Sequence, residues 1–438
     1  MNIRKITAAL VAGAAALALA GCTSAGGDEA KITLRLWDEK VADVYEESIA
    51  AFEDANPGID VELNVVPWSD YFTTLRSEVG SGGGDDLFWL NGAYFEDYAA
   101  AGSLVNIDDA LGKNAREGWA ESAVQQYLYE DALYGVPQLT DGGTGLYLNS
   151  ELLADAGVTA EELSNAAWNP DPEKDTLLPL LQKLTIDENG NNAASPDFDP
   201  KRVKTYGYSA ALELQNIQLN YIASNGGTYQ NEDGSKLTFT EPKTVEAYQY
   251  IVDLINKYHV APPAESTNDD GDYTRELFLQ GKLAVFQSGT YNLAQVNDNA
   301  DFEWQTAEIP AGPAGKGTTA PAVIVAGNTN SKYPEAQQKL LEWLGSTEGA
   351  KYIADSGAAI PAVTDARADY DAYWQEQGVD TSPFFTVLEG REPFPPVIGK
   401  NYGAQAEAFT PPLKEVFLGK TPVKEGLQKA QDAADKVA

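Results

Sequence analysis

Sulfur, imidazole and positive charge are scarce in this chain. Of 438 residues one is cysteine, Cys22, and one is histidine, His259. A lone thiol excludes an internal disulfide, so burial alone must hold the fold together. A lone imidazole at the end of a helical pattern excludes multi-histidine zinc sites and argues against a histidine-based triad. Neither G-x-S-x-G, H-E-x-x-H nor a P-loop occurs. Thirty Lys and Arg face 66 Asp and Glu, for a net charge of −36. So acidic a surface repels phosphate backbones and anionic headgroups, which excludes nucleic acid and a polybasic membrane contact as partners. The apolar run over residues 6–20 falls short of the roughly 20 residues that a membrane-spanning helix needs.

What that run has is the layout of a secretory signal: Arg4 and Lys5 ahead of it, small residues behind it. Leu19-Ala20-Gly21-Cys22 resembles the bacterial lipobox, in which the cysteine is acylated and becomes the first residue. Residues 1–21 are then a signal peptide, Cys22 the lipidation site, and residues 22–30, rich in Gly and Ser, a flexible tether. Two acyl chains suffice for stable anchoring at a membrane. The competing reading is a soluble secreted protein whose Cys22 falls at the cleavage site by chance.

Hydrophobic residues make up 43% of the chain, and its length suits two domains with separate cores. "KITLRLWDE" alternates as a strand, and a helical pattern follows with Val41, Val44, Tyr45, Ile49 and Phe52 on one side. "IDVELNVVPW", "SDYFTTLRSEV" and "DDLFWLN" then read as strand, helix and strand. That rhythm predicts an α/β lobe with a parallel sheet. "LYGVPQLTDGGTGLYLNSELL" breaks it with an extended piece, a polar break at Asp141-Gly142-Gly143 and another strand, a pattern that carries the chain between lobes. A long helix "KTVEAYQYIVDLINKYH", strands in "GKLAVFQSGTYN" and "APAVIVAGN", a helix "PEAQQKLLEWLGS" and an amphipathic terminal helix complete the chain.

In order and spacing these pieces, with "RLWDE", "GGGDDLFWL", "YAAAGSLVNI", "TGLYLNSELL" and "NSKYPEAQQKLLEWLGSTEGAKYIADSGAAIPA", resemble the extracellular solute-binding proteins of ABC importers, in the group of maltodextrin and multiple-sugar binders. The resemblance spans nearly the whole chain beyond Cys22. Two positions depart from it: Leu148 replaces a Tyr, and Gln138 a small residue. It implies an α/β, two-lobed periplasmic-binding-protein-like fold of type II with the ligand in the cleft between lobes. Transferred here, the N-terminal lobe is 31–140 plus 292–345 and the C-terminal lobe 145–288 plus 350–438.

A sugar presents a C–H face that stacks on aromatic rings and hydroxyls that suit acids and amides. By position the resemblance implies Tyr291 and Tyr402 as stacking rings and Asp141 as a hydroxyl clasp near the hinge. Asp38, Glu39 and Lys40 lie just past the first strand, at the sheet's carboxyl edge, where open α/β sheets bind ligands. Asn91 and Tyr94 occupy another such edge, and "ELQNIQ" supplies Glu213, Gln215 and Asn216 at the second rim. Trp68 and Trp168 offer further rings, with core packing as the alternative for each. No cofactor is expected. "DENGNNA" and "NDDGD" fail the spacing of a calcium loop, and a turn explains the first better, so no metal is expected either.

The expected function is that of a non-enzymatic lipoprotein, anchored through Cys22 on the outer face of the cell membrane. It captures a carbohydrate, an oligosaccharide by preference, and as a monomer delivers it to the transmembrane subunits of an ABC permease. The alternatives are a binder of a non-sugar solute, a secreted glycoside-acting enzyme using two carboxylates, and a protein whose surface serves a partner.

Overall fold

The computed structural model describes residues 29–438. The signal peptide and Cys22 lie outside the described residues. β1 (Ala30–Leu36) turns Ile32 and Leu34 inward, and α1 (Glu39–Ala55) follows at once because Asp38 caps it, its carboxylate accepting the Val41 N–H at 3.0 Å. α1 buries Val41, Tyr45, Ile49 and Phe52, the face expected from the sequence. Each such side chain contributes roughly 1.5–3 kcal/mol. β2 (Ile59–Val65) pairs in parallel with β1 over seven residues, from Ala30 with Ile59 to Leu36 with Val65. α2 (Trp68–Gly80), β3 (Leu87–Asn91), parallel to β1, and α3 (Gly92–Ala100) complete the opening unit.

β4 (Val136–Thr140) stays with this sheet, whereas β5 (Gly145–Asn149), only four residues on, belongs to a second one. The second sheet adds β6 (Val203–Tyr208), β7 (Leu283–Ser288) and β8 (Trp304–Glu308). α4 (Pro242–Asn256), α5 (Tyr273–Leu279) and α6 (Leu293–Asn299) lie between these strands in sequence. β9 (Ala322–Gly327) returns to the first sheet, whose order is β2-β1-β3-β9-β4. The second runs β8-β5-β7-β6, with the two-residue strand Ile186–Asp187 at its edge. α7 (Pro334–Leu344), α8 (Thr347–Ser356), α9 (Arg367–Gln377), α10 (Tyr402–Phe417) and α11 (Val423–Ala434) close the chain. Two hydrophobic clusters fill the interior: one around Leu34, Tyr45 and Leu90 that also takes in Tyr147, Leu283 and Phe286 from one face of the second sheet, the other around Leu148, Leu181 and Tyr248.

The parallel pairing expected of the opening unit holds for β1, β2 and β3, while the complete sheets are mixed: β9 runs antiparallel to β3 and β4, and β5 antiparallel to β7 and β8. Two expectations need correction. The segment 292–345 does not stay with the first sheet, since β8 pairs with β5 over five residues, from Trp304 with Asn149 to Glu308 with Gly145. Residues from 350 onward do not all join the second sheet. α8 buries Ala350, Ile353 and Ala354 in the first core, and the Ser48 hydroxyl of α1 donates to the Gly349 carbonyl at 3.3 Å. Burial decides both cases, because the polar sequence "WQTAE" carries no strand signal of its own.

The chain passes between the sheets at 141–144, at 309–321 and again between α9 and α10. These connections are stitched together. The Asp141 N–H donates to the Pro321 carbonyl at 2.9 Å, that of Gly143 to Phe384 at 2.6 Å, that of Thr144 to the Thr318 hydroxyl at 2.7 Å, and that of Phe394 to the Thr318 carbonyl at 2.7 Å. Gly143 is required here: a Cβ would stand 2.5 Å from a Val387 methyl and 3.0 Å from one of Thr318.

The two departures from the family pattern serve packing. Gln138, 2% exposed, accepts from the Tyr45 hydroxyl at 2.7 Å and donates to the Leu344 carbonyl at 3.1 Å. Leu148 is fully buried in the second core.

Candidate ligand site

At the carboxyl edge of the first sheet the side chains are mostly aromatic. Trp37 follows β1 and meets Trp68 edge-on at 5.2 Å and Trp89 at 4.9 Å. Trp68 opens α2 and remains 48% exposed, with Phe72 edge-on at 5.1 Å. Phe72 in turn stacks on Tyr94 at 3.8 Å and 9°. Such pairs fix ring orientation beyond what burial alone does.

Among these rings stand polar groups with spare capacity. Asn91 ends β3 at the N-terminus of α3, yet its side chain does not cap that helix, and its buried Oδ1 has no hydrogen-bond partner among the described residues. The Trp89 indole N–H likewise has none among the described residues. Burial raises the Asp38 carboxyl, opposed by the backbone N–H groups of α1 and by the Arg275 guanidinium. Arg275 lies on α5, beside the second sheet, and also holds Asp272 at 3.1 Å. Lys40 pairs with Asp298 of α6 at 2.7 Å. Glu39 is exposed and forms no side-chain hydrogen bond among the described residues.

The second wall is a hydrogen-bonded cluster. Asp141 accepts the Thr290 N–H at 3.1 Å and the Thr290 hydroxyl. Burial drives its carboxyl up to about 7 in spite of those bonds. Glu213 accepts three backbone N–H groups, from Gln215 at 3.0 Å, Asn216 at 2.7 Å and Ile217 at 3.1 Å, and so caps the π-turn Leu214–Gln218. Burial nevertheless raises its carboxyl. Asn216 donates from Nδ2 to the Tyr291 hydroxyl at 2.7 Å, and burial raises that phenol. Gln215 is half-buried and directs no side-chain hydrogen bond to any described residue.

Tyr402 opens α10 and brings it against Tyr94 of the first wall. It is 3% exposed, its hydroxyl pairs with that of Tyr229 at 3.2 Å, and its ring meets Tyr94 edge-on at 5.5 Å. Beside it the Gly403 N–H donates to Asp97 at 3.1 Å, and Arg76 pairs with Glu407 at 3.1 Å. Burial raises Tyr94 to about 12 and Asp97 to about 6.

Of the residues singled out from the sequence, the fold thus gathers Asp141, Glu213, Asn216 and Tyr291 into one cluster, brings Tyr94 against Tyr402, and sets Asp38 toward Arg275. Trp68 stands at the rim. Trp168 belongs to the core, 1% exposed, with its N–H on Ser224 at 3.0 Å. The "DENGNNA" loop is a turn: Asp187 accepts N–H groups of Asn189, Asn191 and Asp199 and the Asn191 amide, which outweigh burial and hold it at about 2. Sequence reasoning missed Trp37, Asp97, Thr144, Arg275 and Thr290. Trp37 was legible from its place beside Asp38 at a strand end; the others are brought in by chain segments remote in sequence.

The description "bacterial extracellular solute-binding protein" fits residues 38–351, which match the model of that family. A binding protein of Brucella abortus is 26% identical over all of this chain and 99% of its own length. The lactose-binding protein of Rhizobium radiobacter is 27% identical over 70% of this chain and 66% of its own. The crystal structure of UspC from M. tuberculosis is 45% identical, with a TM-score of 0.71 over 93% of this chain and 100% of that one. The family match covers well over half of the sequence, and the two-sheet architecture with its stitched connections accords with it. The chain belongs to the bacterial extracellular solute-binding protein family.

Proposed function

We propose that this protein is the substrate-binding component of an ABC importer that captures a carbohydrate, an oligosaccharide by preference, outside the cell and delivers it to the permease's transmembrane subunits. The observation that supports the reading is that the first sheet's carboxyl edge carries an aromatic group (Trp37, Trp68, Phe72, Tyr94) while Asp141, Glu213, Asn216 and Tyr291 form a polar cluster beside the second sheet, with stitched, narrow connections between the sheets. Rings match the C–H face of a sugar, while carboxylates and amides match its hydroxyls. Membership of the family and the likeness to a lactose-binding protein support the same reading.

In this reading the first lobe holds β1 to β4, β9 and α7 to α9, and the second holds β5 to β8, α4, α10 and α11. The lobes bend about 141–144 and its neighbours, and a ligand that touches both walls favours the closed state. Ligand-contact candidates are Asp38, Glu39, Lys40, Trp68, Asn91, Tyr94, Asp141, Glu213, Gln215, Asn216, Tyr291 and Tyr402. Cys22, outside the described residues, tethers a monomer to the outer face of the cell membrane through its lipid. No helix among the described residues is long and apolar enough to cross a membrane. Binding without turnover distinguishes this role from that of a glycosidase.

The test is a thermal-shift and calorimetric screen against lactose, maltotriose, mannotriose and cycloalternan, with scattering curves for every hit. A true ligand raises the melting temperature in proportion to ln(1 + [L]/Kd) and shrinks the radius of gyration. No rise with any saccharide, or steady release of cleaved product, overturns the proposal. Fatty-acid labelling lost in C22S tests the anchor.

A further inference from the structure

Thr144 belongs to the connection between the sheets, is 1% exposed and was not among the residues singled out from the sequence. Its N–H is committed to the Thr318 hydroxyl of a second connection at 2.7 Å. Its own hydroxyl leaves the connection altogether and donates to the Asn216 Oδ1 at 2.9 Å. The other end of that amide donates to the Tyr291 hydroxyl at 2.7 Å, so one primary amide joins the hinge to the candidate stacking ring.

The turn that carries the amide is itself held. Glu213 caps it, and the Gln287 side chain donates to the main-chain carbonyl of Asn216. Asn216 itself is 5% exposed. The turn is a π-turn, a geometry that concentrates at functional sites because it displaces a side chain from the regular helical ladder. Tyr291 receives a second donated bond, from Ser288 at 3.2 Å. With two bonds donated to it, its own hydrogen remains for an acceptor such as a ligand hydroxyl. A second clamp runs in parallel, since the carboxylate of Asp141, three residues before Thr144, accepts the N–H of Thr290, the residue before Tyr291.

We infer that Thr144 is a positioning residue: through Asn216 it aligns the Tyr291 hydroxyl for ligand only when the connecting segment adopts the conformation seen here, so that hinge state and binding competence are coupled. The inference rests on Tyr291 touching ligand, as proposed above. It explains why a crossing segment, whose task is to bend, spends a buried hydroxyl on the second lobe. A hinge rotation that moves Thr144 must break the chain of bonds or carry Tyr291 with it.

The probe is maltotriose, or whichever of lactose, mannotriose and cycloalternan most raises the parent protein's melting temperature. Affinity is measured by calorimetry and stability by thermal melting for T144V, T144A, T144S, Y291F, Y291A and the double variant T144V/Y291F. The expected result is a loss of about tenfold in affinity for T144V, recovery to within about twofold in T144S, and no additional loss in the double variant over Y291F alone. T144A lacks the hydroxyl without adding a methyl and stands in should T144V not fold. If Y291A weakens binding while T144V and T144A do not, the relay is refuted and the site stands. Additive losses in the double variant refute it as well. If Y291A binds like the parent, or no saccharide binds the parent, the site reading falls and takes the relay with it.

Discussion

The Asp141 carboxylate accepts the Thr290 N–H at 3.1 Å, tying the segment that leaves the first sheet to the turn that presents Tyr291. An acid placed so deep has consequences for stability. Burial raises its carboxyl from an ordinary 3.8 to about 7. Between those values the folded protein holds a proton that the unfolded chain releases, so stability falls as pH rises from about 4 to about 7 and is level above. In D141N that slope should flatten. The variant's melting temperature should exceed the parent's by about 2 °C or more at pH 8 and converge on it toward pH 4. Parallel melting curves across the range would exclude a buried, titrating Asp141.

Asp97 applies the same physics to closure. Where α3 meets α10, burial raises it to about 6, opposed by the Gly403 N–H and Arg76, with Glu96 adding to the rise. Opening exposes this carboxyl and returns it toward 3.8, so the closed form binds the proton more tightly. Closing of the unliganded protein should therefore become more favourable as pH falls through about 6. Small-angle scattering should give a smaller radius of gyration at pH 5 than at pH 8, and D97N should lose the difference. A pH-independent radius in the parent would contradict it.

Gly289 precedes the Thr290–Tyr291 turn. A Cβ there would lie 2.6 Å from the Asp141 Oδ2 and 2.6 Å from the Tyr291 ring, although the backbone, at φ −84°, tolerates any residue. G289A must displace one of the two. Saccharide affinity should drop at least tenfold, about 1.4 kcal/mol, with a smaller proportional effect on melting. Unaltered calorimetric titrations would show that neither group reaches ligand.

Within the first sheet, Arg35 on β1 is 4% exposed, donates to Asp85 at 2.5 Å and pairs with Glu78. R35M would leave Asp85, 7% exposed, without its charged partner. The expected loss in urea unfolding is about 3–5 kcal/mol, partly restored by adding D85N. Saccharide binding at temperatures where the variant is folded should not change. A loss under about 1 kcal/mol would show that the network is dispensable.

Several elements were legible before any coordinates. Period-3.6 and period-2 apolar patterns are local, and the helix at Val41, Tyr45, Ile49 and Phe52 and the strands at 30–36 and 59–65 obey them, while the strand at 87–91 showed as a short continuous apolar run. Asp38 was visible as a candidate from its place at a strand end, whereas Asp141 was singled out through the family resemblance. Charge and the scarcity of cysteine and histidine narrowed the chemistry, because composition is fixed whatever the fold.

Tertiary structure alone decided where β8 and α8 belong, since a polar strand and a short amphipathic helix find their sheet only by what they bury. It alone placed Tyr402 against Tyr94 and Tyr229, residues more than 170 positions away, and joined Thr144 to Tyr291 through Asn216. Periodicity records which face of a segment turns inward. Which remote side chain completes a hydrogen bond depends on how two sheets and their connections come together in space.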